Sequence, residues 1–543
     1  MSFYPFENPI GFGAADFVAL ALTLALILAG SFRQTWLWRF AEQTKPCMIA
    51  LAALPVVLRL LLLRHHPVPS PDIYDEFSHL LAADTLRHFR FSNPVHPFHR
   101  FFETFFVLQE PSYSSIYPPG QGLMLAIGQV ILGHPWAGVL AAAAALCSLT
   151  YWMLRAWTTP QWSLMGGIIA VMTFGPLNVW MNSYWGGSLA AASGCLVFGA
   201  LPRFKASPDA RNAFLLGAGL ALIVLTRPYE SLFLSAAIAI YLIPMRRERA
   251  LAAAAIPLAI AGIMMLRQNH AVTGRWTMLP YSLSQYQYGV PAALTIQAEP
   301  VPHRELTPQQ AMEYKSQIAF RTGKETVQSF LLRLEYRVRF YRFFILTPLF
   351  VALIFFVPAL RQGRYQWVAL TVILSALGVN FFPAFQFHYL APVAPLFILM
   401  AAAGLERLRA ISRLAAQALM VLCVFQFAFW YAMHVFDDRA FSKNARVFET
   451  WNGLNHGNPE RRIAVRRELD SIPGKLLVFV RYSPAHIFQD EWVYNEADID
   501  RARVVWARDL GPDENAKLRA YYPDRQALLL EVDLRPPELR EYE

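Results

Sequence analysis

Long apolar runs separated by short polar segments fill most of this chain. They predict helices over 14–32, 46–63, 119–133, 136–154, 161–181, 184–202, 212–226, 229–245, 250–266, 343–360, 365–382, 389–405 and 414–432. Most approach about 18 residues, the length that crosses a hydrocarbon core of about 30 Å. So many long runs cannot share one soluble core. The pattern therefore predicts a polytopic α-helical membrane protein of about 12–13 helices. Beyond 432 the pattern changes. "KLLVFVRY" and "RQALLLEVD" read as strands, and the stretch between them carries a further short strand and a helix. Residues 433–543 thus read as a small α/β domain.

Basic residues order the helices, because they favour the cytoplasmic side. Arg33, Arg39 and Lys45 place the first connection inside. Arg203, Lys205 and Arg211 mark another inside connection, as do Arg246, Arg247 and Arg249, then Arg361 and Arg364, then Arg407, Arg409 and Arg413. The later groups alternate properly and put 267–342 and the tail outside. The early and later groups disagree by one crossing, so one run before Arg203 does not span. The weakest is "PGQGLMLAIGQVILGHP", which is short, rich in glycine and bracketed by Pro118-Pro119 and Pro135. It reads as an interfacial or re-entrant helix. Residues 64–135 then form one external region. The expected organisation is an extra N-terminal helix with a basic cytoplasmic loop (1–45), a membrane domain (46–432) and an external domain (433–543).

Composition agrees with this layout. The 543 residues are 55% hydrophobic and only 16% charged, well below the roughly 25% charge of a soluble domain. The net charge of +10 does not signify nucleic acid, since the arginines sit at the ends of apolar runs and not on one basic face. Cys47, Cys147, Cys195 and Cys423 all fall inside apolar runs, without disulfide or metal spacing. The start, MSFYPFENPIGFGAADF, lacks a basic n-region, so no cleaved signal peptide is expected. The tail has no GxGxxG or P-loop.

Candidate chemistry begins in "PDIYDEFSHLLAADTLRHF" (71–89), where Asp75 and Glu76 open an amphipathic helix on the outer side. Acids at a helix start are favoured by the dipole and by free N–H groups. A carboxylate at a membrane boundary is also suited to take a proton from a hydroxyl. Arg227 in "LTRPYES", Arg267 in "MMLRQNH", and Arg333, Arg337, Arg339 and Arg342 in "LLRLEYRVRFYRFF" lie at outer ends, against the inside bias. Lipid head groups and a donor phosphate account equally well for the 333–342 run. Phosphate recognition by forked hydrogen bonds accounts better for Arg227 and Arg267. "SSIYPPGQG", "MNSYWGGSLAA" and "FFPAFQFHYLAP" bring Tyr117, Tyr184, Trp185 and Tyr389 to other outer ends. Such rings suit sugars and equally suit an aromatic belt. Gly186-Gly187 lets a ligand or backbone approach closely. His388 either pairs with a phosphate or satisfies a local carbonyl. Together these parts suit a lipid-linked sugar phosphate, with its tail in the bilayer and its head at the arginines.

At "YDEFSHLLAADTL", "YPPGQGLMLAIG" and "FHYLAPVAPL" the chain resembles the GT-C superfamily of polyprenyl-phosphate-dependent glycosyltransferases. The nearest branch is the glycosyltransferase family 39-like group of protein O-mannosyltransferases and aminoarabinose transferases, over residues 46–432. The resemblance implies that Asp75 occupies the place of the catalytic carboxylate and Glu76 that of its acidic neighbour. The residues themselves, read by position and type, put Arg227, Arg267, Arg337, Arg339 and His388 around the donor phosphate, and Tyr117, Tyr184, Trp185 and Tyr389 around the sugar or acceptor. "NSYWGGS" lacks the second acid that many members carry there, and no DxD pair occurs in the early loops. A divalent metal is compatible with the family, but this chain shows no clear ligand set and no metal residue is assigned.

The expected reaction is inverting transfer of a sugar from a polyprenyl-phosphate donor to an acceptor hydroxyl. It takes place on the extracytoplasmic face of a bacterial inner membrane, with Asp75 as base. The acceptor is a glycan, lipid or protein; membrane lipids are the other partners, and nucleic acid is not one. The rival classes are a lipid or small-molecule transporter or flippase, and a non-catalytic envelope-assembly scaffold. A transporter holds its charges near the bilayer midplane, whereas the candidates here lie at outer ends.

Overall fold

A computed structural model describes residues 35–71, 73–245, 248–319, 324–436 and 459–543. The expected helix 14–32, Arg33, Arg246, Arg247 and the stretch 437–458 lie outside the described residues. Before the C-terminal domain, the described α-helices of eight residues or more are α1 (Thr44–Leu61), α2 (Tyr74–Arg87), α3 (Pro119–Leu132), α4 (Trp136–Leu154), α5 (Pro160–Phe174), α6 (Ser188–Ala206), α7 (Ala210–Thr226), α8 (Pro228–Leu242), α9 (Ala255–Thr273), α10 (Pro280–Tyr288), α11 (Pro308–Ala319), α12 (Val327–Val338), α13 (Leu349–Phe356), α14 (Gly363–Val379), α15 (Ala394–Ile411) and α16 (Arg413–Phe436). Among the described residues six helices are long and apolar enough to cross a membrane. There are seven if Val327–Phe344 and Leu349–Arg361, bent by 110°, count as one span.

Two expected spans are shorter or displaced. The 161–181 run ends at Phe174, and the 184–202 run starts at Ser188. Between them Gly175 and Pro176 break the helix, because proline lacks an N–H. Asn178 caps a four-residue helix by accepting from the Trp180 N–H at 2.8 Å. Gly187 closes this loop at φ 122°, where a Cβ would lie 2.3 Å from the Trp180 indole. The close approach that Gly186-Gly187 permits is therefore made by the protein's own side chains.

The helix that charge parity singles out is a short apolar helix of 14 residues. α1 and α4 run antiparallel: the Arg59 guanidinium lies 4.9 Å over the Trp136 ring at one end, and Arg155 donates to Thr44 Oγ1 at 3.0 Å at the other. α3 begins against the C-terminal end of α7, where a Cβ on Gly120 would meet the Leu225 carbonyl at 2.7 Å. It ends just before Trp136, which donates to the Met181 carbonyl at 3.0 Å in the same outer loop. Both ends of α3 thus lie at one end of the bundle. Its tip exposes Val130, Ile131 and Leu132.

The C-terminal domain adds α17 (Pro459–Ser471), α18 (Pro512–Tyr521) and four strands, preceded in the chain by a small β1 (Val107–Leu108) and β2 (Ser114–Ser115) pair. β3 (Lys475–Arg481) lies between β4 (Val504–Arg508) and β5 (Arg525–Glu531), parallel to both, and β6 (Glu538–Glu541) pairs antiparallel with β5. β3 is a continuous apolar run because both faces are covered. Leu476, Val478 and Val480 pack on Val465 and Leu469 of α17. Leu477 and Phe479 face the other way and share a core with Phe101, Phe102, Val107 and Tyr113, and with Leu81 of α2. The Tyr494 ring meets Phe77 at 4.9 Å, and Asp84 Oδ2 accepts from the Ala497 N–H at 2.5 Å. The C-terminal domain therefore anchors one face of α2, which leaves Asp75 on the other.

Candidate active site

α2 starts with two acids, as its dipole favours. The two acids then diverge. Glu76 turns back: its Oε1 accepts from the Tyr184 N–H at 2.8 Å and its Oε2 from the Ile73 N–H at 3.4 Å. It ties the helix start to the 175–187 loop. Asp75 faces the bundle end and is 8% exposed. The Tyr117 hydroxyl donates to Asp75 Oδ1, and the Trp185 side chain bonds the same carboxylate. Burial pushes the Asp75 carboxyl up to about 7; the Tyr117 bond opposes this, the nearby Glu313 adds to it, and Arg227 and Trp185 oppose it.

Tyr117 is held from three sides. The Gln268 amide donates to its carbonyl at 2.8 Å, its own N–H donates to Ser115 Oγ at 3.1 Å, and its ring stacks on His79 at 4.3 Å. Pro118 and Pro119 then start α3 directly after it. Arg227 sits at the junction of α7 and α8. Among the described residues its guanidinium makes no hydrogen bond. Its contacts are the Glu230 carboxylate at 4.0 Å and the Tyr389 ring at 5.7 Å. His388 is buried with its ring 4.9 Å from Trp185. Asp75, Tyr117, Trp185, Arg227, His388 and Tyr389 thus converge.

The remaining candidates lie elsewhere. Arg337 is buried and its donors are spent on carbonyls: Val379 at 2.9 Å, Phe382 at 2.5 Å and Pro383 at 3.2 Å, with Asn380 Oδ1 at 3.2 Å. It ties down the turn after α14 and leaves no fork for a phosphate. Arg339 donates to the Tyr336 carbonyl at 3.0 Å and lies 4.0 Å over the Tyr336 ring. Arg267 is exposed on α9, and none of its contacts is with the cluster among the described residues. Tyr184 is buried behind Glu76, with its hydroxyl donating to the Pro69 carbonyl at 2.8 Å, so it offers no face to a ligand. Among the described residues no group of three His, Cys, Asp or Glu side chains could hold a metal ion.

No family model and no curated protein matches the chain by sequence. Solved structures do resemble it. ArnT from Cupriavidus metallidurans bound to undecaprenyl phosphate overlays at a TM-score of 0.50 and 11% identity, over 89% of this chain and 92% of that one. The fold is GT-C-like. The apo form of the same ArnT gives 0.45 at 13% identity, over 89% and 92%. The Archaeoglobus fulgidus oligosaccharyltransferase gives 0.39 at 11% identity, over 90% of this chain and 69% of that one.

Within this GT-C-like fold, sequence reasoning passed over three contributors. His79 follows Asp75 by four residues, a spacing that puts both on one helical face; that signal was legible. Gln268 stands beside Arg267 in "MMLRQNH", and it is the glutamine, 5% exposed, that points inward. Glu313, 3% exposed, comes from α11 in the segment between α10 and α12 and accepts from the Tyr74 hydroxyl at 3.1 Å. Nothing in its local sequence marks it.

Proposed function

We propose that the protein is a membrane glycosyltransferase. It moves a sugar from a polyprenyl-phosphate donor to an acceptor hydroxyl, with its active site and C-terminal domain on the extracytoplasmic side. One observation carries this above the rest: a buried carboxylate, Asp75, lies near an arginine, Arg227, whose guanidinium makes no hydrogen bond among the described residues. A base and an anion seat side by side are what transfer from a phosphate leaving group requires. The GT-C-like fold supports the same conclusion, and the ArnT of similar fold was solved bound to undecaprenyl phosphate.

In the proposed step Asp75 takes the proton of the acceptor hydroxyl. That oxygen bonds to the anomeric carbon as the carbon–phosphate oxygen bond breaks, and the electron pair leaves with the polyprenyl phosphate. A base performs best when its pKa lies near the working pH, and Asp75 at about 7 meets that condition. Arg227 neutralises charge gathering on the phosphate. Trp185 and Tyr389 offer faces to the sugar, and Glu76 positions the helix. One base and direct attack imply inversion. The leaving group is already a stable anion, so no strong acid is needed.

The test is release of undecaprenyl phosphate from a labelled undecaprenyl-phosphate sugar by purified protein. Release that is absent from wild-type protein, or retained by Asp75→Asn, overturns the proposal.

A further inference from the structure

His79 is the unexplained member of the cluster. It lies one helical turn beyond Asp75 and is 5% exposed. Its imidazole stacks on the Tyr117 ring at 4.3 Å and 22°, so the ring plane is fixed. Yet its Nδ1 is buried without a hydrogen-bond partner among the described residues. A buried polar atom left unpaired is costly, so such an atom beside a reaction centre points to a partner that arrives with the ligand. The surroundings say of which kind. Arg227 bears electrostatically on both His79 and His388, and His79 bears on His388. Arg227, which makes no hydrogen bond among the described residues, therefore bears on two buried imidazoles, His79 and His388. Burial, reinforced by Arg227, holds His79 down to about 3, hence neutral. A neutral imidazole presents one N–H, and positive potential with N–H donors is complementary to an anion.

We infer that His79 joins Arg227 in holding the phosphate of the lipid donor, with its ring Nδ1 as the hydrogen-bond donor to a phosphate oxygen. This rests on the proposed function and deepens it, because the sequence-based phosphate set did not contain this residue. The Tyr117 stack holds the ring in place for that bond, and Tyr117 thereby links the phosphate seat to Asp75.

The test compares binding of undecaprenyl phosphate and of uncharged undecaprenol to the purified full-length protein in detergent. His79→Phe keeps a flat ring on Tyr117 and removes both nitrogens; His79→Gln restores an N–H donor. The expected result is that His79→Phe weakens undecaprenyl phosphate binding roughly tenfold or more, leaves undecaprenol binding as in wild type, and is partly rescued by His79→Gln. Equal weakening of both lipids makes His79 a packing residue and overturns the inference. So does unchanged undecaprenyl phosphate binding, including the case where only turnover falls, which assigns the nitrogen to the sugar. If wild-type protein does not prefer undecaprenyl phosphate to undecaprenol, the proposed function itself fails. If wild type shows that preference and His79→Phe keeps it, only the assignment of His79 fails.

Discussion

Replacing Asp75 by Asn separates the two properties that burial gives this residue. Asn keeps an oxygen to accept from Tyr117 and loses both the charge and the basicity. Its first consequence is loss of transfer. Its second is a gain in stability. The folded carboxyl titrates at about 7 against an ordinary 3.8, chiefly because it is buried. Between those values the folded protein keeps a proton that the unfolded chain has released, so stability falls as pH rises, by about 1.4 kcal/mol per pH unit. Below the lower value nothing is lost; above the upper value the loss is complete, at about 4 kcal/mol. Between about pH 5 and pH 8 the loss is about 3 kcal/mol, since it stops near pH 7. Thermal unfolding of wild type and variant in the same detergent across that range isolates the contribution, because the other titrating groups are common to both. The variant is expected to melt higher than wild type at pH 8 and to lose less on going from pH 5 to pH 8. Identical slopes refute the account of a costly buried charge, and wild-type turnover by the variant refutes the base.

Arg227→Gln removes a charge-assisted phosphate contact and is expected to cost about 1.5–3 kcal/mol in transition-state stabilisation, read as a fall in kcat/KM with weaker donor binding. Arg337→Met instead strips donors from the buried Val379, Phe382 and Pro383 carbonyls, and is expected to show first as a lower melting temperature, by about 3 kcal/mol of stability. The rising limb of activity with pH, set by ionisation of Asp75, is expected near 7. Glu313→Gln removes a neighbouring charge that raises Asp75 and moves the limb to lower pH, while Tyr117→Phe removes a bond that lowers it and moves the limb to higher pH, with Arg227 and Trp185 unchanged in both. A limb that moves the same way in both variants contradicts the arrangement. Finally, His134→Cys, exposed just past α3, is expected to react with an impermeant thiol reagent from outside intact cells, against a background of four buried native cysteines. Labelling only after permeabilisation places α3 across the membrane.

Much of the architecture can be read in one dimension. Hydrocarbon thickness fixes the length of a spanning helix, so apolar runs mark α1, α4, α9, α15 and α16 without reference to neighbours. Charge at the run ends singled out α3, which folds as one of the shorter apolar helices. Continuous apolar runs marked β3 and β5, because a parallel strand covered on both faces carries no polar alternation. The acid pair at the start of α2 was visible as well, since helix starts and bases draw on the same residue types.

The roles of the individual side chains came only from packing. Asp75 and Glu76 are adjacent and alike in sequence, yet one faces Tyr117 and the other the backbone of Tyr184. Arg227 and Arg337 both read as outer-end arginines, but Arg337 is saturated by carbonyls more than forty residues away while Arg227 is not. Glu313 reaches Tyr74 across 239 residues of chain, and the C-terminal domain grips the back of α2 through Tyr494 and Ala497. Local sequence sets which groups a side chain can offer. Whether they are spent, and how far burial displaces their protonation, depends on partners from distant segments, and only the tertiary structure decides that.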